Sequence, residues 1–343
     1  MRILCLVSLL LFFASPNLQA QKTKPFNVVF YNVENLFDTL NHPVKNDDEF
    51  TPSSEKKWTA PRYTTKLNKL SLALSTAGGE TLPSAIGLCE VENRKVVVDL
   101  LKTDKLRKGK YKIIHYERPD FRGIACAFAY RKKHLKVLSH RAIPVTLADT
   151  SRTTRDILYV KGLAYKKDTV HFFVNHWPSR YGGQEKSEPK RLRAAYVLRV
   201  EVEKIMKRNP KAKIVIMGDF NDYPQNKSMT ETLSATPNPT PSRPQDMFNL
   251  MSAGQDRGEG SYNYRGNWGM LDQIVVSYPL LQASIGLIGT PDCAQPVKEE
   301  FMLYTNPDNG EQKPNRTYGG NRYYGGYSDH LPVRATLVFV KKR

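Results

Sequence analysis

The stretch Lys213-Ile214-Val215-Ile216-Met217-Gly218-Asp219-Phe220-Asn221 decides how this chain is read. A short apolar run rich in β-branched residues reads as a strand buried on both faces. It breaks at once into Gly218, Asp219 and Asn221, so a carboxylate and an amide stand where the strand ends. Polar residues in that position line a cleft at a sheet edge, although a single junction is equally explained by a strand reaching solvent.

The junction recurs. The apolar run at 26–31 leads into Asn32-Val33-Glu34, the run at 85–89 into Glu90, and the run at 169–174 into Asn175-His176. Leu271-Asp272-Gln273-Ile274 opens a further strand, and Ser328-Asp329-His330 precedes the last one, at 333–340. Six junctions that use only Asn, Asp, Glu and His are hard to explain as accidents of the surface. Between them the pattern predicts a strand over 124–130, a hairpin of 156–164 with 169–175, and a helix over 66–76 with Leu67, Leu70 and Leu74 on one face. Pro189 is expected to open a long helix to about 208, with Ser187 as its cap. The stretches 223–268 and 290–328, rich in Pro, Gly, Asn and Tyr, read as long loops of the kind that often serve function.

These residue types suit phosphate-ester hydrolysis. That reaction needs charge neutralised on the non-bridging oxygens, a water deprotonated and a leaving oxygen stabilised. Carboxylates and an amide oxygen suit a hard cation, Mg2+ or Mn2+, and no cysteine cluster offers a zinc site. Asp supplies a base and His an acid or hydrogen-bond donor near neutral pH.

Charge points to the same class of substrate. The 343 residues hold 52 Lys and Arg against 33 Asp and Glu, a formal charge of +19. Such a surface concentrates polyanions: nucleic acid first, an anionic membrane surface or a phosphorylated small molecule second. At the N-terminus, Arg2, the apolar run 3–14 and the small residue Ala20 form a secretory signal, too short to span a bilayer. The mature chain is expected to begin near Gln21 and to be exported without a stable membrane span. Cys89, Cys126 and Cys293 would then remain, an odd number, read as buried free thiols in the case of the first two.

Phe30-Tyr31-Asn32-Val33-Glu34, Leu88-Cys89-Glu90-Val91, Val174-Asn175-His176, Gly218-Asp219-Phe220-Asn221, Leu271-Asp272-Gln273-Ile274 and Ser328-Asp329-His330, in this order, resemble the motif set of the exonuclease–endonuclease–phosphatase superfamily, the deoxyribonuclease-I-like enzymes, in a bacterial, often exported branch. The resemblance runs from about Phe26 to the C-terminus. It implies an α/β (α+β) fold, a four-layer sandwich of two packed, mostly antiparallel β-sheets flanked by helices, in one catalytic domain over 21–343. It also implies roles. Glu90 would be the main metal carboxylate, with Asn32 beside it, Glu34 as a second acidic ligand, and Asp329 holding the metal or fixing His330. Asp219 would activate water, Asn221 would position it or the phosphate, and His330 would contact the phosphate, oriented by Asp272. His176 matches a second histidine, with Glu117 and Asp120 as candidate partners. Arg122, Arg155 and Arg180 are candidates to hold substrate, because a guanidinium donates two parallel hydrogen bonds to phosphate. The function expected is that of a metal-dependent nuclease on DNA or RNA. The alternatives are a phosphatase or phosphodiesterase on a small phosphorylated molecule or lipid head group, and a polyanion-binding module without catalysis.

Overall fold

The computed structural model describes residues 23–117, 120, 122–148 and 153–341. The expected signal segment, 1–20, lies outside them. Apolar residues alternate along the long strands, and each parity packs on a different layer. Phe30 of β1 (Thr23–Leu36) faces Phe128, Phe172 and Met217 between two sheets, whereas its neighbours Val29 and Tyr31 face helices.

One sheet runs β14 (Gly286–Ile288), β20 (Val333–Val340), β1, β2 (Ala85–Val91), β4 (Ala125–Arg131), β3 (Tyr111–His115), with β15 (Ala294–Pro296) also on β20. The other runs β5 (Leu135–Ile143), β6 (Ile157–Ala164), β7 (Asp168–His176), β8 (Lys213–Asp219), β13 (Asp272–Ser277), β10 (Met247–Asn249), β9 (Ala235–Thr236). Each sheet has a parallel pair inside it, β1 with β2 and β7 with β8, and the flanking pairs are antiparallel, apart from the short β9 with β10. Crossover helices make the parallel pairs possible. Helix α1 (Ala60–Ala77), joined by α2 (Arg94–Lys102), covers the first sheet, and α3 (Gln184–Arg208) covers the second. Helices outside, sheets inside: these are the four layers expected.

Several boundaries differ from the sequence reading. Helix α1 starts earlier, with Pro61 in its first turn, where a missing N–H costs nothing. Helix α3 starts at Gln184, so Pro189 lies inside it rather than at its head; Ser187 donates to the Gly183 and Gln184 carbonyls instead of capping. The two long loops carry short hairpins: β11 (Tyr262–Tyr264) with β12 (Asn267–Gly269), β16 (Leu303–Thr305) with β17 (Gln312–Pro314), and β18 (Tyr318–Gly319) with β19 (Arg322–Tyr323). The tyrosine-rich stretch at 318–327 packs largely on itself and on α1: Tyr318 lies against Tyr323 and Trp58, and Arg62 sits over Tyr323. Cys89 and Cys126 are buried free thiols, and Cys293 is a half-buried one. No helix among the described residues is long and apolar enough to cross a membrane.

Candidate active site

Strand register brings the polar junctions to one rim. His176 pairs with Asp219 in the parallel ladder, and Asp219 pairs with Asp272 in the antiparallel one. Asn32 is the partner of Cys89, so Glu90 stands one step beyond it. Val333 pairs with Phe30, which sets 328–332 over the end of β1. Gly218 is required here: a Cβ would lie 2.6 Å from the Asn175 carbonyl oxygen of the neighbouring strand.

The first sheet delivers its residues through an irregularity. Glu34, Asn35 and Glu90 all have left-handed backbone, and the β1–β2 and β2–β4 ladders shift register at those points. Bulges beside active sites re-aim side chains, and their strain is tolerated where the surroundings hold it. The hold is visible: the Asn35 N–H donates to Glu90 Oε2 at 2.9 Å. Burial pushes the Glu90 carboxyl up, but Arg122, His330, the Asn35 N–H and Arg155 outweigh it and keep Glu90 below its ordinary value.

The second sheet brings Asp219, Asp272 and His176 to the rim, and the segment before β20 of the first sheet lays His330 against them. Asp219 accepts from the Asn32 amide at 3.0 Å and from the Asn221 N–H at 2.9 Å. Burial is the largest influence on it, and with Asp272 nearby it is pushed up to about 6 against the pull of His330. His330 Nδ1 sits 2.6 Å from Asp272 Oδ2, which also accepts from Ser261 Oγ at 2.5 Å. Burial alone would drive a proton off His330, but Asp272 and Asp219 outweigh it and hold the imidazole well above its usual range. His176 goes the other way. Burial, Arg155 and Arg122 drive it well below the usual range, so it stays neutral. Its Nε2 lies 3.7 Å from Asp219 and 3.8 Å from Glu90, while its Nδ1 is buried without a hydrogen-bond partner. Neither suggested partner reaches that nitrogen: Asp120 binds Arg155, and Glu117 accepts from the Arg94 N–H.

Asn32, Glu90, Asp329, His176, Asp219, Asn221, Asp272 and His330 thus converge. Three other expected residues are placed differently. Glu34 accepts the Thr317 N–H at 2.7 Å and the Tyr318 N–H at 3.2 Å, with Lys66 3.7 Å away, which ties it to the segment at 317–318. Arg155 is built into the wall: it donates to the His176 and Trp177 carbonyls and pairs with Asp120 at 2.8 Å, so each of its nitrogens already has a partner there. Arg180 is tied to the Asn221 carbonyl and lies over the Tyr223 ring. Of the three expected arginines, Arg122, 43% exposed and 3.4 Å from Glu90, keeps an open guanidinium at the rim.

Four supports went unread in the sequence. Ser261 orients Asp272, Arg316 lies 3.3 Å from Asp329, and Asp222 is a fully buried carboxylate paired with Arg191 at 2.8 Å. The fourth, Lys66, is buried beneath Glu34 and donates to Thr317 and to the Tyr327 carbonyl. A lysine on the apolar face of α1, next to Leu67 and Leu70, was the legible signal for it.

The donor set fits a hard divalent cation. Glu90, Asp329 and the Asn32 carbonyl are oxygen donors, and burial together with Glu34 and Glu90 pushes Asp329 up to about 7 despite His330 and Arg316. Such a surplus of negative charge is what a cation relieves. Asp219, Asp272 and His330 also hold potential ligand atoms within 4.8 Å of one another. In that cluster Asp272 Oδ2 is taken by His330 Nδ1 and Ser261 Oγ, and Oδ1 is the oxygen left without a partner.

The sequence profile of the endonuclease/exonuclease/phosphatase family matches residues 27–342. No curated protein matches the sequence. Among solved structures, truncated TDP2 from Caenorhabditis elegans superposes with a TM-score of 0.54 at 17% identity, covering 91% of this chain and 97% of that one. The human Nocturnin catalytic domain gives 0.53 at 16%, covering 94% and 98%. A mannosyl-6-phosphatase from Bacteroides thetaiotaomicron gives 0.54 at 14%, covering 92% and 100%. The fold is shared with all three, and the profile match makes this chain a member of the endonuclease/exonuclease/phosphatase family, divalent-metal-dependent hydrolases of phosphoric esters.

Proposed function

We propose that this enzyme is an exported nuclease that hydrolyses phosphodiester bonds of DNA or RNA with Mg2+ or Mn2+. The observation that carries the hydrolytic part is the placement of two histidines against one carboxylate, His176 Nε2 at 3.7 Å and His330 Nε2 at 3.9 Å from Asp219, with burial and Arg155 lowering the proton affinity of the first and Asp272 raising that of the second. Groups with diverging proton affinities across one carboxylate can take and give protons in the same cycle. Nucleic acid is supported by the charge of +19. It is further supported by one neighbour, TDP2 from D. rerio, whose structure holds a single-strand DNA product.

Glu90 and Asn32 would hold the cation, with Asp329 beside them, and Glu34 would fix the segment 316–318 that closes the pocket. When bound, the cation supplies positive charge to the phosphate oxygens. Asp219, oriented by Asn32 and by the Asn221 N–H, takes a proton from the attacking water. His330, kept charged by Asp272, hydrogen-bonds a non-bridging oxygen through Nε2; as the water oxygen bonds to phosphorus the ester P–O bond breaks, and the leaving oxygen takes its proton from solvent at the open rim. His176 presents its neutral Nε2 to the reacting group, and Arg122 meets the substrate at the open rim.

A small phosphorylated substrate is the competing reading, because a mannosyl-6-phosphatase has the same fold. The purified chain, assayed on plasmid DNA, RNA, bis(4-nitrophenyl) phosphate, inositol phosphates, mannose 6-phosphate and sphingomyelin with and without magnesium, separates the two. Fastest metal-dependent turnover on a polynucleotide supports the nuclease; turnover confined to a small ester refutes it. Export rests on the pattern over residues 2–20, and N-terminal sequencing of exported protein should begin near Gln21.

A further inference from the structure

Far from the catalytic rim lies a groove of about 1230 Å³ between the open edges of the two sheets. Lys108, Lys110 and Lys112 line one wall, from β3 and the turn before it; Lys132, Lys133 and Lys136 line the other, from β5 and the turn before that strand. Arg131 and Lys166 complete a lining of eight cations that contains no acidic residue. The seven lysines are exposed. None of the eight is paired with a carboxylate in the described ion pairs. Strand β4 measures the distance from the catalytic rim. Its first residue, Ala125, pairs with Val91 beside Glu90, and its last, Arg131, reaches the groove. Six residue steps at about 3.3 Å each put the groove roughly 20 Å from the chemistry.

Eight like charges that no acid offsets repel one another and lower the stability of the free fold, and a bound polyanion removes that repulsion. The groove's shape selects among polyanions. A bilayer is flat and cannot follow a concave wall, and the lining offers no exposed large apolar side chain to insert. A strand of linked phosphates can enter the groove and place charge along its length. Half-buried Tyr111 and Tyr130 lie among the lysines and add aromatic surface to which a base can stack.

We propose that this groove is a second, non-catalytic binding site for a nucleic-acid strand. The identity of the occupant rests on the nucleic-acid reading above. The lysines take no part in hydrolysis, so binding and turnover separate in the test. The triple substitution Lys110→Glu, Lys132→Glu, Lys136→Glu is compared with the unsubstituted chain. Binding of a 30-nucleotide single strand is followed across a salt series in the Asp219→Asn background with calcium. Hydrolysis of bis(4-nitrophenyl) phosphate is followed with magnesium in the otherwise unsubstituted enzyme. Each lost phosphate contact on a single strand removes about 0.7 from the slope of log affinity against log salt. The expected result is at least a tenfold weaker Kd and a slope shallower by two or more contacts, with hydrolysis of the small ester unchanged. Lys→Arg at the same three positions should keep both Kd and slope. Unchanged Kd and slope in the Glu variant would overturn the proposal. So would binding of the unsubstituted chain to phosphatidylglycerol vesicles but not to the strand. Groove-dependent binding by an enzyme that cleaves no polynucleotide would leave this proposal standing and refute the nuclease reading instead.

Discussion

The units β1–α1–β2 and β7–α3–β8 are each a parallel strand pair joined by a crossover helix, and both end at the same rim, yet the residues they place there differ in kind. The first ends in Asn32 and Glu90, oxygen donors on irregular backbone with left-handed residues at Glu34, Asn35 and Glu90. The second ends in His176 and Asp219 on a regular ladder. The two meet at the 3.0 Å hydrogen bond from Asn32 to Asp219. Holding a cation needs oxygen atoms gathered around a point, which a straight strand edge does not provide and a bulge does. Moving a proton needs groups lined up across adjacent strands, which register provides. On the proposed function, the first half would hold the cation and the second would move protons.

The largest effects should come from Asp219 of the second half and from His330, which the segment before β20 lays 3.9 Å from it. Asp219→Asn and His330→Ala should each lower kcat by about a thousandfold or more, Asp219→Asn with little change in thermal stability and His330→Ala with some loss, because it leaves buried Asp272 without its imidazole partner. Their double substitution should cost little beyond the worse single one, as for residues acting as a unit. Additive losses measured by steady-state kinetics would break the idea of one proton-handling set. Glu90→Gln should act differently: a loss of about a hundredfold that rising magnesium partly restores, read from rates across a metal titration.

A third contrast separates two arginines near the site. Arg155 pairs with buried Asp120, so Arg155→Ala strands a carboxylate and should lower unfolding free energy by about 3 kcal/mol in a denaturant titration. Arg122 is half-exposed, and Arg122→Ala should raise KM while leaving stability within about 0.5 kcal/mol. Equal stability losses would place both in the wall.

A further effect concerns pH and lies outside the site. Burial holds His134 and His171 near about 4, below the ordinary 6.5, with Arg131, Lys133 and Lys24 adding to it at His134 and Lys161 at His171. As pH falls through 6.5, the unfolded chain takes up these protons before the folded one does. The stability present above 6.5 should therefore drain away between 6.5 and about 4, by roughly 2 kcal/mol for each histidine. His171→Gln should flatten that slope in melting curves measured across the same range.

The sandwich and the converging junctions were legible because they rest on local signals: an apolar run buried on both faces, then Asn, Asp, Glu or His. What stayed hidden depends on distant partners. Strand β5 carries Lys136, Ser139, His140 and Arg141 and lies at a sheet edge, so it lacks the apolar run that marks a strand. Helix α2 is the exception: it is short, and its cap, Asn93 accepting from the Val96 N–H, is a local signal. Arg155 reads as a candidate substrate arginine, and only tertiary contact with Asp120 and two carbonyls shows that each of its nitrogens already has a partner within the wall. Glu34 reads as a ligand from its place after β1; what its oxygens bind is backbone from 317 and 318, nearly 300 residues away in sequence.

The division of labour between the two halves is tested most directly by calorimetric titration of Mn2+ into three proteins: the unsubstituted chain, Glu90→Gln and Asp219→Asn. The account predicts that Glu90→Gln loses most of the ion affinity, whereas Asp219→Asn binds Mn2+ within a few-fold of the unsubstituted chain while turning over almost no substrate. Tight binding that survives Glu90→Gln and disappears in Asp219→Asn would contradict it, and would move the ion to the Asp219, Asp272 and His330 cluster.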